Sequence, residues 1–321
     1  MLAAFVTSFD AFQPARALEV GRRPEPESPP GWAVVDVRAA SINHHDVFAL
    51  RGVGLPSGRL PMILGCDASG VAEDGREVIV HALIRSDGWT GPELEDPGLS
   101  MLSERAQGTF AERVTVPRAN LLDKPPGLTF GEASCLPTAW LTAYRMVVHQ
   151  AAVPAGGTVL VQGAGGGMSA ALVALASAMG LRVWVTGRTV EKRAFALSQG
   201  ADQAFEPGAR LPGKVDAVFD SVGAATWTHS LQVLRPHGTL VVAGGTSGYE
   251  VTVNVARVFG RQLRIQGSGM GTRGDLADLI AFCAGRRIRP VVQAELPLAQ
   301  ARAGVAAVAA GDVRGKIVLV P

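Results

Sequence analysis

Cysteine is scarce in this 321-residue chain. The three present, Cys66, Cys135 and Cys283, stand far apart and form no CxxC pair, which argues against a disulfide framework and suits a reducing compartment. Neither sign of charge dominates: 30 Lys and Arg against 28 Asp and Glu leave a dispersed net +2, without the concentrated basic footprint of a nucleic-acid or membrane binder. No apolar run approaches the roughly 20 residues of a membrane span. The opening MLAAFVTSFDAF lacks the basic start and apolar stretch of a secretory signal. The expectation is a cytoplasmic protein with a small-molecule partner and neither nucleic acid nor membrane.

Glycine, by contrast, is abundant, at 39 residues in a chain that is 47% hydrophobic, which suits an α/β protein with many tight turns and close backbone approaches. The length predicts two domains. Up to about Val116, short apolar runs (LAAFV, WAVVDVRAA, GVAEDGREVIVHAL, FAERVTV) separated by turn residues predict a mainly β domain, with a hairpin turn at Glu73-Asp74-Gly75-Arg76. The Pro-rich stretch GRRPEPESPPG, 21 to 31, reads as a surface loop. From about Leu128 the period changes. Thr129 is a helix cap, and Pro137 should break or kink the helix that follows. TVLVQGAGGGMSAALVALASAMG then reads as buried strand, glycine turn and helix. RVWVTG, DAVFDSVG, TLVVAGG and LRIQGSGM continue an alternation of strands and helices, which implies a doubly wound parallel sheet. The tail from Pro290 ends in another strand, KIVLV, a candidate to rejoin the first domain. The expected division is 1–122, 123–262 and 263–321, the last returning to the first domain.

Gly163-Ala164-Gly165-Gly166-Gly167-Met168-Ser169 follows a strand and opens a helix, where bare backbone N–H groups can hold a pyrophosphate. Alone such a turn is weak evidence, since glycines also serve packing. Its neighbours make it specific. Ala40-Ser41-Ile42-Asn43-His44-His45-Asp46 with Arg51-Gly52, Pro61 through Asp67, Gly108-Thr109-Phe110-Ala111-Glu112, Leu136 through Tyr144, Asp216 through Gly223, and Gly315-Lys316-Ile317-Val318-Leu319 complete a series spanning nearly the whole chain. In that order the segments resemble a medium-chain dehydrogenase/reductase, nearest the zinc-free, quinone-oxidoreductase-like branch. The resemblance implies a GroES-like β domain, a Rossmann domain and a cleft between them where nicotinamide meets substrate. It also implies a homodimer through the Rossmann sheet edge, for which VTVNVARVF, 251 to 259, is one candidate and equally a core strand.

Two departures stand out: Ser169 replaces the usual last glycine of the turn, and Ala72 to Arg76 is a shortened connection. At the end of the second Rossmann strand an acid would bind the ribose hydroxyls of NAD; Gly187-Arg188-Thr189, with Lys192, stands there instead and predicts NADPH. Gly165, Gly166, Gly167 and Met168 are expected at the pyrophosphate. Gly187, Arg188, Thr189 and Lys192 are expected around the adenosine phosphate, and Ser221, Val222, Gly223, Gly244, Gly245 and Thr246 at the ribose and nicotinamide. The resemblance adds Lys316 at the phosphates.

By the same resemblance the family's zinc-ligand positions fall at Asn43, Cys66, Asp67 and near Thr138. Asn43 and Thr138 are poor ligands. His44 and His45, if on a strand, point to opposite faces, so at most one would help, and no metal is expected. Without zinc, polar groups must stabilise the oxygen that gains charge. Asn43, His45 and Thr138 are the catalytic candidates, with His44 beside them and Asp46 expected to pair with Arg51. Related enoyl reductases often carry a tyrosine after the NxxD segment. Here only Tyr144 and Tyr249 exist, which weakens enoyl-thioester reduction and favours quinones or α,β-unsaturated carbonyls. A zinc-dependent alcohol dehydrogenase and a noncatalytic NADPH-binding or RNA-binding protein are the alternatives, the RNA version disfavoured by the missing basic patch.

Overall fold

The computed structural model describes residues 1–321 and divides into two units, Met1–Thr138 with Thr272–Pro321, and Ala139–Gly271. Both boundaries differ from the sequence expectation, for local reasons. Thr129 and Glu132 form a capping box for helix Phe130–Ser134, and the Phe130 carbonyl accepts the Ser69 hydroxyl at 2.6 Å, which keeps this helix with the first unit. Strand Arg264–Gly267 hydrogen-bonds to Leu234–Val242 and so stays with the second.

In the first unit, Trp32–Ser41 alternates buried and open positions along its first half, the period of a half-covered strand. It is the hub of a seven-stranded sheet. On one side lie Ala68–Ala72, Glu77–Val80 and Leu121–Asp123; on the other, Lys316–Val320 and Val292–Pro297, and Arg113–Pro117 pairs with its first half. Lys316–Val320 runs antiparallel to it, Val318 opposite Ser41 and Leu319 opposite Ala40. The tail therefore does join the first unit. The hairpin forms at Glu73 to Arg76, with Gly75 N–H donating to Ala72 O at 2.8 Å. Gly65 has φ +91°, and a Cβ there would lie 2.4 Å from Phe110 Cδ1 and 2.5 Å from Thr109 Oγ1. Only glycine makes that turn, which feeds Cys66 and Asp67 inward.

In the second unit six parallel strands stand in the order Gln203–Phe205, Arg182–Thr186, Thr158–Val161, Val215–Asp220, Leu234–Val242, Arg264–Gly267. That is the Rossmann order, and its direction reverses at Thr158–Val161. This strand is buried along its whole length, as its unbroken apolar run requires. Pro137 does not end the helical path: the chain passes through π-helical Leu136–Trp140, α-helical Leu141–Arg145 and a second π segment, Met146–Ala151. A widened turn lets the helix continue past a residue that has no N–H. The segment 251–259 is not a strand. Asn254 accepts the Arg257 N–H at 3.0 Å and starts helix Val255–Gly260, on which Val255 and Phe259 are exposed. The sheet edge is Arg264–Gly267 instead.

Gly65→Ala should lower stability by about 2–4 kcal/mol, adding left-handed strain to overpacking. Gly75→Ala is the control: φ is +86° there, but nothing lies within 4 Å of its Cβ position. Chemical denaturation should show the larger loss at Gly65, and equal losses would remove the packing argument.

Candidate active site

Asn43 ends the hub strand's path and begins helix His44–Leu50. His44 and His45 therefore occupy a helical first turn, not opposite faces of a strand. Asp46 does not pair with Arg51. Its Oδ2 accepts Asn43 N–H at 2.7 Å and its Oδ1 accepts Gly65 N–H at 3.1 Å, so one carboxylate caps the helix and ties it to the Gly65 turn. Burial pushes its pKa up to about 6, against the pull of His45 and the Asn43 N–H.

The last strand brings Lys316 into this turn, with only 4% of the residue exposed. Its Nζ donates to Ile42 O at 2.8 Å and to Asn43 Oδ1 at 2.6 Å, and lies 3.7 Å from Asp67 Oδ2. An ammonium only donates, so the Asn43 amide must turn its oxygen toward Lys316. Its Nδ2 then faces Asp67 Oδ2 at 2.7 Å and Cys66 Sγ at 3.6 Å. Ser41 Oγ also donates to Asp67 Oδ2, at 2.7 Å. Thr138 Oγ1 completes the cluster 3.4 Å from Cys66 Sγ. Burial, then the Asp67 and Asp46 charges, push the Cys66 thiol well above its usual range.

His45 Nε2 lies 3.1 Å from Glu104 Oε1, while His45 Nδ1 is buried with no partner. His45 Nδ1 or Nε2, a carboxylate oxygen of Asp46 and Cys66 Sγ fall within 4.8 Å of one another. Burial works against a charged His45, but the Glu104 hydrogen bond and the Asp46, Glu104 and Asp67 charges outweigh it and raise its pKa. His44 moves the other way, lowered by burial, Lys316 and Arg51.

The structure thus gathers Asn43, His45 and Thr138 around Cys66, and it adds Ser41, Asp67, Glu104 and Lys316. Lys316 was expected at a cofactor phosphate. Its ammonium is instead buried among Ile42, Asn43 and Asp67, because its strand pairs beside the start of helix His44–Leu50. Glu104 carried no motif signal, since it reaches His45 from a loop far along the chain.

A catalytic zinc takes about three protein ligands. Here Asp46 gives both oxygens to backbone N–H groups, Asn43 presents its amide nitrogen to Cys66, and an ammonium already stands beside Asp67. Those contacts compete with a metal for Asp46, Asn43 and Asp67, while His45, Asp46 and Cys66 still bring one ligand atom each within 4.8 Å of one another.

In the second unit the glycine turn bends through Gly163 at φ +81° and Gly165 at +111°. Helix Gly167–Ala178 has no side-chain cap, which leaves its first N–H groups for an anion. Ser169, in place of the usual glycine, is buried and donates to Gly166 O at 2.9 Å, so it tightens the turn. Arg188 is exposed and makes no hydrogen bond or ion pair. Thr189 Oγ1 accepts Lys192 N–H at 3.3 Å and caps the next helix. Arg193 donates to Gly187 O at 2.7 Å. Ser221 to Gly223 and Gly244 to Thr246 follow neighbouring strand ends. Asp220 shapes the first loop by accepting the Val222 and Gly223 N–H groups at 2.8 and 3.0 Å. The expected cofactor residues other than Lys316 therefore lie at the carboxyl ends of parallel strands, and this surface fits a dinucleotide.

Family comparison agrees with both descriptions. Residues 29–126 match the alcohol dehydrogenase GroES-like domain, and 167–285 match the zinc-binding dehydrogenase family. A probable quinone oxidoreductase of Schizosaccharomyces pombe is 30% identical over 73% of this chain and 70% of its own length. The chain belongs to the medium-chain dehydrogenase/reductase superfamily. Another member, the acryloyl-coenzyme A reductase of Sulfurisphaera tokodaii, is 25% identical over 96% of this chain and 98% of its own. A solved NAD-dependent alcohol dehydrogenase of this superfamily shares 33% identity and a TM-score of 0.92 over 100% of both chains.

Removing Lys316 leaves Asp67 as a buried, unbalanced carboxylate. Lys316→Met should cost about 3–5 kcal/mol, and adding Asp67→Asn should recover a good part of it. A denaturation cycle over the two singles and the double checks this; additive losses would mean that the charges do not depend on each other.

Proposed function

We propose that this chain is an NADPH-dependent reductase of quinones or α,β-unsaturated carbonyl compounds, working without zinc. The observation that carries the cofactor choice is the strand end Thr186 to Thr189. It holds no acid, and it holds an exposed guanidinium with no partner of its own, suited to paired donation to a 2′-phosphate. Lys192 adds charge one turn into the next helix. NADPH, when bound, supplies hydride to an electrophilic carbon.

This chain's residues then have two tasks. The glycine turn, Arg188 and the loops shaped by Asp220 hold the cofactor. The cluster in the first unit meets the oxygen that gains charge, with Thr138 and His45 as the groups that touch substrate. Asn43 is only 6% exposed and its amide is fully engaged, so it orients Asp67 and Cys66 rather than touching substrate. The relatives widen the substrate class. One is named a quinone oxidoreductase and another an acryloyl-coenzyme A reductase, whose substrate is an unsaturated thioester. Lack of a nearby tyrosine is thus a poor reason to set thioesters aside, since a histidine stands in the cluster. Zinc-dependent alcohol oxidation is the second reading. It is favoured by the likeness to alcohol dehydrogenases and opposed by the Lys316 ammonium. The unpaired edge of Arg264–Gly267, with Ile265 exposed on it, is where we place a second copy in a homodimer.

Arg188→Ala should weaken NADPH roughly ten- to a hundredfold, the effect of losing a charge-assisted contact of ~1.5–3 kcal/mol, and leave NADH nearly unchanged. Gly187→Asp is a poorer test, because a Cβ at Gly187 would crowd Arg193 Cγ at 3.0 Å and Ala164 Cβ at 3.1 Å. The measurement is kcat/KM for both cofactors; a wild type that prefers NADH, or equal losses for both, would refute the phosphate site. His45→Ala and Thr138→Ala should slow reduction far more than they weaken cofactor binding. Chelator should leave turnover intact, and loss of turnover with release of stoichiometric zinc would establish the second reading.

A further inference from the structure

Reduction of a conjugated carbonyl requires a proton as well as a hydride, and the site contains a histidine whose two nitrogens are unlike. A carboxylate can only accept, so Glu104 Oε1, 3.1 Å from His45 Nε2, requires that nitrogen to carry a hydrogen. The exchangeable proton of His45 is therefore the one on Nδ1. That atom is buried and has no hydrogen-bond partner in the protein, although it belongs to the residue grouped with Asp46 and Cys66. A buried polar atom left over in this way is costly unless something else engages it. Resting on the reductase reading above, we propose that His45 delivers the substrate proton from Nδ1 and that Glu104 is a positioning residue that fixes its tautomer.

Glu104 is itself held for this task. Ser103 takes a left-handed φ of 68°, an uncommon conformation for a side-chain-bearing residue, and this bends the chain into a tight turn. Ser103 N–H donates to Ala106 O at 2.9 Å, and Leu102 N–H donates to Ala82 O at 3.0 Å. Met101 N–H donates to Glu104 Oε2 at 3.3 Å, which leaves Oε1 for the imidazole. The His45 and Glu104 side chains are 18% and 26% exposed, but Nδ1 itself is buried, so the ring must shift for it to meet substrate and water.

In the step, hydride adds to the β-carbon and the π pair moves toward the α-carbon and carbonyl oxygen. The Nδ1–H bond of protonated His45 breaks, its electron pair stays on Nδ1, and the proton forms a C–H or O–H bond on the substrate. Water then returns a proton to Nδ1. The sum is one hydride and one proton added to the substrate.

Activity requires the protonated imidazole, so it falls as pH rises through the pKa of His45. Glu104 and Asp46 hold that pKa up, and Asp67 assists from the Gly65 turn. Lys316, on the last strand, faces His44 and Asp46, and Cys66 stays a thiol. Removing the Glu104 charge should therefore move the fall to lower pH.

Two measurements on the full chain test this. The chain has 6 histidines, so nitrogen-15 histidine spectra can resolve His45. At alkaline pH it should carry its hydrogen on Nε2, and Glu104→Gln should lower its pKa and mix its tautomers. In the second, the alkaline limb of kcat/KM for an enone should shift down in Glu104→Gln, with ~tenfold loss at pH 8 for a shift of about one unit and unchanged NADPH affinity. A wild-type hydrogen on Nδ1, or a Glu104→Gln titration identical to wild type, overturns the positioning role whether or not the protein turns over. A normal pH profile in Glu104→Gln, with the spectra as expected, overturns proton delivery by His45. If wild type reduces no quinone, enone or thioester with NADPH, the reductase reading fails, and the spectra still decide the Glu104–His45 pair.

Discussion

One buried ammonium organises the first unit. Lys316 satisfies the Ile42 carbonyl, sets which way the Asn43 amide faces and balances Asp67, and through Asn43 it fixes what Cys66 encounters. A charge this deep is tolerated because every donor direction has an oxygen near it. The same contacts fasten the last strand to the start of helix His44–Leu50, so sheet closure and site geometry are a single event. Beside that cation a second one meets electrostatic repulsion at Asp67.

The two units contain different kinds of order. In the second, backbone does the work: strand ends, a glycine turn and helix N-termini present N–H groups, and side chains such as Asp220 and Arg193 mainly hold loops in shape. In the first, side chains do it, through a connected set of polar contacts among residues from several segments. Backbone sites tolerate sequence change well, whereas a side-chain cluster is sensitive to each member.

That difference explains what could be read in advance. The Rossmann strands announced themselves as apolar runs, the glycine turn by its place between strand and helix, and Thr129 by its place before a helical stretch, because each signal is local. Asn43, His45 and Thr138 were legible as candidates because they sit in recognisable segments. Lys316 was seen, but its contacts with Ile42, Asn43 and Asp67 depend on which strand its own strand pairs with, and no window of sequence shows that. Glu104 was missed for the same reason, being brought to His45 by a loop. The helix at His44 is not foreseen by the pairing expected of Asp46 with Arg51, because Asp46 caps that helix instead. The segment 251–259 failed similarly, its β-branched residues outweighing the cap at Asn254.

The bond from Lys316 to Ile42 spans 274 positions of sequence. During synthesis the second unit, a continuous stretch, emerges complete while the first still lacks the strand that closes it. Domains fold as units in the order in which they leave the ribosome. The nascent protein therefore passes through an interval in which a finished nucleotide-binding fold is tethered to an open sheet whose Asp67 has no counter-charge. Long-range closure of this kind is also the slow part of folding. The dinucleotide surface is thus ready before the chemistry it serves, and the polar cluster is assembled last.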